Sequence, residues 1–328
     1  MADAVLLLAH GTPDVVGEIP EYLSRVTGGR TLPQETIEEV SHRFARIGGS
    51  PLTRLTLEQG RLLEEELRLP VYVGMRNWKP YIAEVVGRMR EDGVTRAVVI
   101  CLAPQNSRTS VGLYRRAVFA AAEDAVELRF VEDWADHPQL ADAFAERLRA
   151  AREPFVTEIG TPIPVLFTAH SVPCRTVMAA PQPDHHLPPE PADPYPVEAK
   201  LTASLVASRI PGLSEEDWFF AFQSQGMSGG PWIGPTVEDT LTALREQGVT
   251  NLIIQPIGFL CDHVEILYDI DVGFRDFGAK LGMTIRRPES LNDSRLLTLA
   301  LASLARRGLA QADSTRPDSP QPSRRSRI

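Results

Sequence analysis

Short apolar runs alternate with longer amphipathic stretches along this 328-residue chain. Runs with strand character fall at Val5–Ala9, Val71–Gly74, Ala97–Leu102, Glu127–Val131, Val165–Thr168, Phe219–Phe222, Leu252–Ile257 and Met283–Arg286. Between them, Tyr81–Glu91, Ala141–Ala151, Val197–Ser208, Val237–Glu246 and Val264–Lys280 carry apolar residues at helical spacing. The alternation predicts an α/β fold of mostly parallel sheets with helices on both faces.

The pattern also repeats. Arg90-Glu91-Asp92-Gly93-Val94-Thr95 precedes one apolar run, and Arg245-Glu246-Gln247-Gly248-Val249-Thr250 precedes another. Each set reads as a helix end, a glycine C-cap and a buried strand. Helix–glycine–strand junctions are common in such chains, so chance similarity is the competing reading. The strand ends Leu8-Ala9-His10-Gly11-Thr12-Pro13 and Thr168-Ala169-His170-Ser171-Val172-Pro173 repeat in the same order, which favours duplicated lobes. The boundary is expected near Pro154–Thr161, giving lobes at 1–155 and 156–309. The Pro-rich stretch from Pro173 to Pro196 reads as a long surface loop, and a basic tail from 310 to 328 is expected to be disordered.

Composition narrows the function. A formal charge of −9 argues against nucleic acid as a partner, because phosphate binding needs a basic face. Cys101, Cys174 and Cys261 lack Cys-x-x-Cys spacing, so neither a disulfide framework nor a zinc or iron–sulfur site is indicated. Met1-Ala2-Asp3 leads straight into a strand, without a basic region or a long apolar run. A reduced, cytoplasmic protein with at most peripheral membrane contact is expected, and a monomer.

The chemistry sits at the strand ends, where ligands bind in open α/β sheets. His10 and His170 occupy such ends, one in each half. Cys261-Asp262-His263-Val264-Glu265 follows the run Leu252–Ile257. Read at helical spacing, Asp262, Glu265 and Asp269 line one face. Asp262 and Glu265 also fit an N-terminal capping box, whereas Asp269 lies beyond its reach. A histidine facing carboxylates suits either proton abstraction or a divalent metal such as Fe²⁺. His263 can orient Glu265 from behind, with Asp262 as another supporting group. His42 and His137 read as surface helix residues, and His185 and His186 as loop residues.

At this point a family resemblance becomes specific. Phe167-Thr168-Ala169-His170-Ser171-Val172-Pro173 resembles the S-x-H-S-L-P element of ferrochelatases. Pro256-Ile257-Gly258-Phe259, running into Asp262-His263-Val264-Glu265-Ile266-Leu267-Tyr268-Asp269, resembles P-I-G-F-x-x-D-H-I-E-x-L-Y-[DE]. Gly230-Pro231-Trp232-Ile233-Gly234-Pro235, Asp193-Pro194-Tyr195-Pro196, Gly11-Thr12-Pro13 and Ser50-Pro51-Leu52 match in family order. The resemblance implies two Rossmann-like lobes around a porphyrin cleft and insertion of Fe²⁺ into a porphyrin. It implies no permanently bound cofactor, with iron as substrate. His170 and Glu265 would flank the reacting centre and handle protons and metal, and Asp269 would continue a carboxylate path outward. Gly273 stands where the family often has a further acid.

The branch that uses coproporphyrin III, a tetracarboxylate, is the nearer likeness. Arg43-Phe44-Ala45-Arg46-Ile47-Gly48-Gly49-Ser50-Pro51-Leu52 resembles that branch's R-Y-x-x-I-G-G-x-S-P-L, after a segment ending in Gly29-Arg30. By this likeness Arg30, Arg43, Phe44, Ser50, Tyr114 and His10 would contact substrate. The branch usually reads A-Y-G-T-P where this chain has Ala9-His10-Gly11-Thr12-Pro13. An imidazole there could ligate the product's iron from the face opposite His170. Protoporphyrin IX, another tetrapyrrole and metal, and a carrier without turnover are the competing readings.

Overall fold

The computed structural model describes residues 2–179, 191–225 and 230–314. In the first lobe the strands are β1 (Ala2–Ala9), β2 (Val71–Met75), β3 (Val94–Cys101) and β4 (Glu127–Val131). They carry α1 (Ile19–Val26), α2 (Gln34–Arg46), α3 (Leu52–Leu67), α4 (Ile82–Glu91), α5 (Val111–Ala122) and α6 (Pro138–Ile159). The second lobe has β5 (Val165–His170), β6 (Trp218–Gln223), β7 (Asn251–Pro256) and β8 (Thr284–Arg286). Its helices are α7 (Cys174–Val177), α8 (Tyr195–Ala207), α9 (Val237–Glu246), α10 (Val264–Leu267), a π-helix over Asp269–Phe274, α11 (Arg275–Lys280) and α12 (Arg295–Ser314).

The sheets have orders β2-β1-β3-β4 and β6-β5-β7-β8, and every pairing is parallel. The two orders are the same when the lobes are superposed strand for strand. β1 corresponds to β5, so His10 and His170 follow equivalent inner strands. The duplication read from Arg90–Thr95 and Arg245–Thr250 therefore marks equivalent helix-to-strand turns, before β3 and β7. Alternate residues of each inner strand face opposite helix layers, which is why Val5 and Leu7 join one core and Ala4, Leu6 and Leu8 another.

The link between the lobes falls at the end of the expected boundary stretch, but the last helix of the chain crosses back. α6 runs through Pro154 to Ile159, because Phe155 is fully buried and holds the helix on the core beyond the proline. Gly160, at φ 78°, ends it. α12 then leaves the second lobe and packs on α3, α6 and β3. Leu297, Leu301 and Leu304 are buried there, and a Cβ on Gly308 would come within 2.8 Å of Val98. The expected division into 1–155 and 156–309 is corrected by this crossing: the last helix completes the first lobe. One continuous core runs from Val5 and Phe144 through Phe167 to Leu301.

The tail assignment shifts as well, since α12 continues to Ser314 and 315–328 lie outside the described residues. So do His185, His186 and the middle (180–190) of the Pro-rich stretch, whose first part forms α7. His137, expected at the surface, is buried at the start of α6. Among the described residues no helix is long and apolar enough to cross a membrane.

Candidate active site

β1 ends in a turn that only glycine fits. Gly11 has φ 77°, and a Cβ there would stand 2.7 Å from Met75 Cβ. The chain after β2 closes against this turn, as Arg76 N donates to Ala9 O at 3.0 Å and Asn77 N to His10 O at 2.9 Å. The His10 ring is held between the Asn77 amide, 3.1 Å from both ring nitrogens, and Tyr22 Oη, 2.9 Å from Nε2. Burial pushes the His10 imidazole down to about 4, with Glu265 opposing and Arg76 assisting, so it is neutral at neutral pH.

The facing wall comes from the second lobe. His170 ends β5, and Tyr195 Oη donates to its carbonyl at 2.8 Å. His170 Nδ1 contacts the Ser171 carbonyl. A carbonyl accepts only, so Nδ1 carries a proton and Nε2 is left to exchange one. His170 Nε2 lies 3.7 Å from Glu265 Oε1. His263 Nε2 lies 3.4 Å from Glu265 Oε2, and its Nδ1 is 3.1 Å from Cys261 O. Gln223 fixes the backbone here, donating to Glu265 O at 3.0 Å while accepting from Thr168 Oγ1 at 2.7 Å. Glu265 keeps 37% of its side chain open and lines the cleft. Dehydration by the surrounding walls raises its pKa, but His170, the His263 hydrogen bond and His10 outweigh it and hold the carboxyl down at about 2.

The expected row of three carboxylates is only partly present. Asp262 precedes α10, whose N-cap is the extended residue His263, so it is neither the cap nor on the Glu265 face. Its carboxylate instead accepts Ser290 Oγ at 2.6 Å and Asn292 Nδ2 at 3.0 Å, and pairs with Arg287 at 3.2 Å. It secures the loop behind the site. Asp269 opens the π-helix, accepts a hydrogen bond from Ser224 Oγ and faces Arg43 Nη1 at 3.7 Å. Burial raises its pKa above the usual range, with Glu265 adding and Ser224, Arg43 and His170 opposing. The wide turn carries an N–H bond from Gly273 to Tyr268 O at 2.9 Å, and such turns concentrate at functional sites.

Between the lobes lies a cavity of about 360 Å³, within the range of small-molecule sites. His10, His170, His263, Glu265 and Tyr114 line it. Four expected contacts, Arg30, Arg43, Phe44 and Ser50, do not. Phe44 is 1% exposed, packed with Ile19, Tyr22, Leu23 and Trp78, so it supports Tyr22 from behind. Ser50 is buried and accepts from Thr12 Oγ1 at 2.8 Å, which orients Thr12, the residue that faces the cavity. Arg30 is exposed and donates to Thr27 O at 3.1 Å, away from the cleft lining. Arg43 is at the Asp269 side of the site, with Glu39 and Asp269 as partners and the Tyr268 ring 5.3 Å away. Sequence reasoning missed Tyr22, Arg76 and Tyr195 as lining residues, and Trp232 joins them as cleft wall. Arg76 directly follows a buried parallel strand, the same signal that singled out the histidines.

Two parallel sheets of like order, aiming histidines and carboxylates into one cleft, define a two-lobed protein of the chelatase fold. The solved sirohydrochlorin chelatase SirB from Bacillus subtilis subspecies spizizenii, in complex with cobalt, shares that fold, with a TM-score of 0.55 at 10% identity over 96% of this chain and 98% of that one. The ferrochelatase family model matches residues 2–309. A ferrochelatase of Acidobacterium capsulatum is 67% identical over 97% of this chain and 98% of its own. The coproporphyrin III ferrochelatase of Geobacillus kaustophilus is 33% identical over 92% of this chain and 94% of its own. This chain belongs to the ferrochelatase family. It is a metal chelatase, a lyase of haem biosynthesis, with a porphyrin and iron as substrates.

Proposed function

We propose that this enzyme inserts Fe²⁺ into coproporphyrin III. The observation that carries the preference is the polar lip: α1 turns Glu21, Ser24 and Arg25 to solvent, Glu21 and Arg25 pairing at 2.9 Å. Such a lip suits a water-borne tetracarboxylate better than a dicarboxylate delivered from lipid. The Geobacillus relative, named for coproporphyrin III, supports the same reading. The test is Fe²⁺ insertion by purified enzyme into coproporphyrin III and protoporphyrin IX. We expect kcat/KM about tenfold or more in favour of coproporphyrin III, since one charge-assisted hydrogen bond contributes about 1.5–3 kcal/mol. Equal values would sink the preference.

Insertion removes two pyrrole protons and replaces the hydration of iron. His170 Nε2 faces the cleft, 3.7 Å from Glu265 Oε1, where the imidazole nitrogen can take up the pyrrole protons. Glu265, held as a carboxylate, is too weak a base to lead proton transfer, and supplies a fixed negative charge for protonated His170 and for incoming iron. His263 positions Glu265. Asp269 continues the route outward, and its raised pKa favours a group that holds a proton transiently. No resident cofactor enters this scheme.

His10, neutral and facing the cavity, would ligate the product's iron. Tyr22 Oη lies 2.9 Å from Nε2 in this structure, so ligation through that nitrogen requires the hydroxyl to move away. A His10→Ala variant should shift the Soret band of bound iron coproporphyrin; an unchanged band would remove this role.

A further inference from the structure

The residue assigned to substrate carboxylates by family likeness, Arg43, is already neutralised by Glu39 and Asp269. Arg76 is not. No carboxylate among the described residues pairs with its guanidinium, and its Nε is buried without a hydrogen-bond partner. It nevertheless lines the cavity, with its guanidinium 5.5 Å from the Tyr114 ring centroid. Its backbone is fixed by the bond to Ala9 at the end of β1, so the side chain is carried on a rigid strand end. The side chain therefore presents an unpaired cation, stacked on an aromatic face, to a small-molecule cleft.

The neighbours complete a carboxylate site. Ser110 is the N-cap of α5, makes no side-chain cap bond, and lies one turn before Tyr114 on the same helical face. It also lines the cavity, as does Thr109. A guanidinium and a hydroxyl that line one cavity both offer donors to a carboxylate. Arg76 is half-buried, and a cation that a cleft leaves without a carboxylate partner is complementary to an anionic group of the ligand.

We propose that Arg76, with Ser110 as a further cavity-lining donor, binds one propionate of the porphyrin. This rests on the porphyrin reading above and deepens it. A substrate with carboxylates on all four pyrroles can reach the Arg76 wall in any in-plane orientation, whereas one with two adjacent propionates has fewer productive poses. Arg76 thereby contributes to choosing a tetracarboxylate.

The test uses the full chain with Arg76→Gln and Arg76→Lys. Fe²⁺ insertion into coproporphyrin III is measured with KM and kcat resolved. Binding of metal-free coproporphyrin III, and of its tetramethyl ester in detergent, is followed by quenching of tryptophan fluorescence. Arg76→Gln should raise KM and Kd for the free acid about tenfold or more, the loss expected for one charge-assisted hydrogen bond. Kd for the ester should stay unchanged, and Arg76→Lys should recover part of the loss because it restores charge without the planar fork. Unchanged KM and Kd in Arg76→Gln would overturn the proposal. Equal weakening of acid and ester would overturn it too, reducing Arg76 to a packing group for Tyr114. If the unsubstituted enzyme shows no preference between coproporphyrin III and protoporphyrin IX, the substrate preference fails, while the acid–ester comparison still decides the role of Arg76.

Discussion

Replacing Glu265 by glutamine should lower kcat for iron insertion by about two to four orders of magnitude, the range for loss of a positioned acid–base or charge-stabilising group. Glutamine keeps the shape and can still meet His263, so the cleft should hold and porphyrin KM should change little. What disappears is the negative charge 3.7 Å from His170 Nε2 and 3.4 Å from His263 Nε2. Two consequences follow together. His170 loses the anion that stabilises its protonated form, and dehydrated iron loses its hard oxygen donor. The carboxyl is held at about 2, so Glu265 is ionised throughout the pH range in which the enzyme can be assayed. Steady-state kinetics with fluorescence titration of metal-free porphyrin separates the terms. A variant that loses porphyrin affinity while keeping kcat would show that Glu265 holds the macrocycle and not the chemistry.

His10, His170 and Glu265 were legible because their signal is local. A polar residue just beyond a buried parallel strand has one place to go, the carboxyl edge of the sheet. Arg76 obeys the same rule after β2 and was passed over because it carried no family pattern. The duplicated Arg-Glu-x-Gly-Val-Thr junction was equally local, and it anticipated two sheets of the same strand order. α12 was not legible in this way. Its apolar stripe requires a partner surface without saying which, and only the assembled first lobe offers the open face beside α3, α6 and β3.

Family likeness assigned Phe44, Ser50 and Arg30 to substrate, and none of them lines the cavity. A motif fixes spacing, but the side that a residue faces depends on packing: Phe44 went into the small core under Tyr22, and Ser50 under Thr12. The row of three carboxylates failed for a backbone reason. Helical spacing assumes one regular helix over Val264–Lys280, whereas the chain starts at His263, widens over Asp269–Phe274 and only then resumes as α11. Side-chain pattern does not encode that widening. The tertiary contacts of Asp262 and Asp271 accompany it, and both lead to Arg287.

Arg287→Leu should therefore be the most damaging substitution outside the cleft. Arg287 is 9% exposed in its side chain and bridges Asp262 at 3.2 Å and Asp271 at 2.8 Å. It sits just beyond β8, so it fastens both ends of the catalytic segment to the sheet: the loop before Glu265 and the π-helix that carries Asp269. Burial alone would lower its pKa, but the Asp271 hydrogen bond and the two carboxylates raise it above the ordinary value. Leucine fills most of the space and leaves both carboxylates without their shared cation. Breaking a buried pair in this manner costs about 3–5 kcal/mol, and the partial exposure of Asp271, at 24%, argues for about 3. Chemical denaturation should report that loss as a lower midpoint at unchanged slope. The functional effect should exceed the stability effect. At a temperature where the variant is fully folded, kcat should still fall by about tenfold or more, since small displacements of catalytic groups are costly, while KM for coproporphyrin III stays near the original value. Full kcat in the folded variant would limit Arg287 to stability and leave the geometry of Glu265 and Asp269 to Gln223, His263 and Ser224.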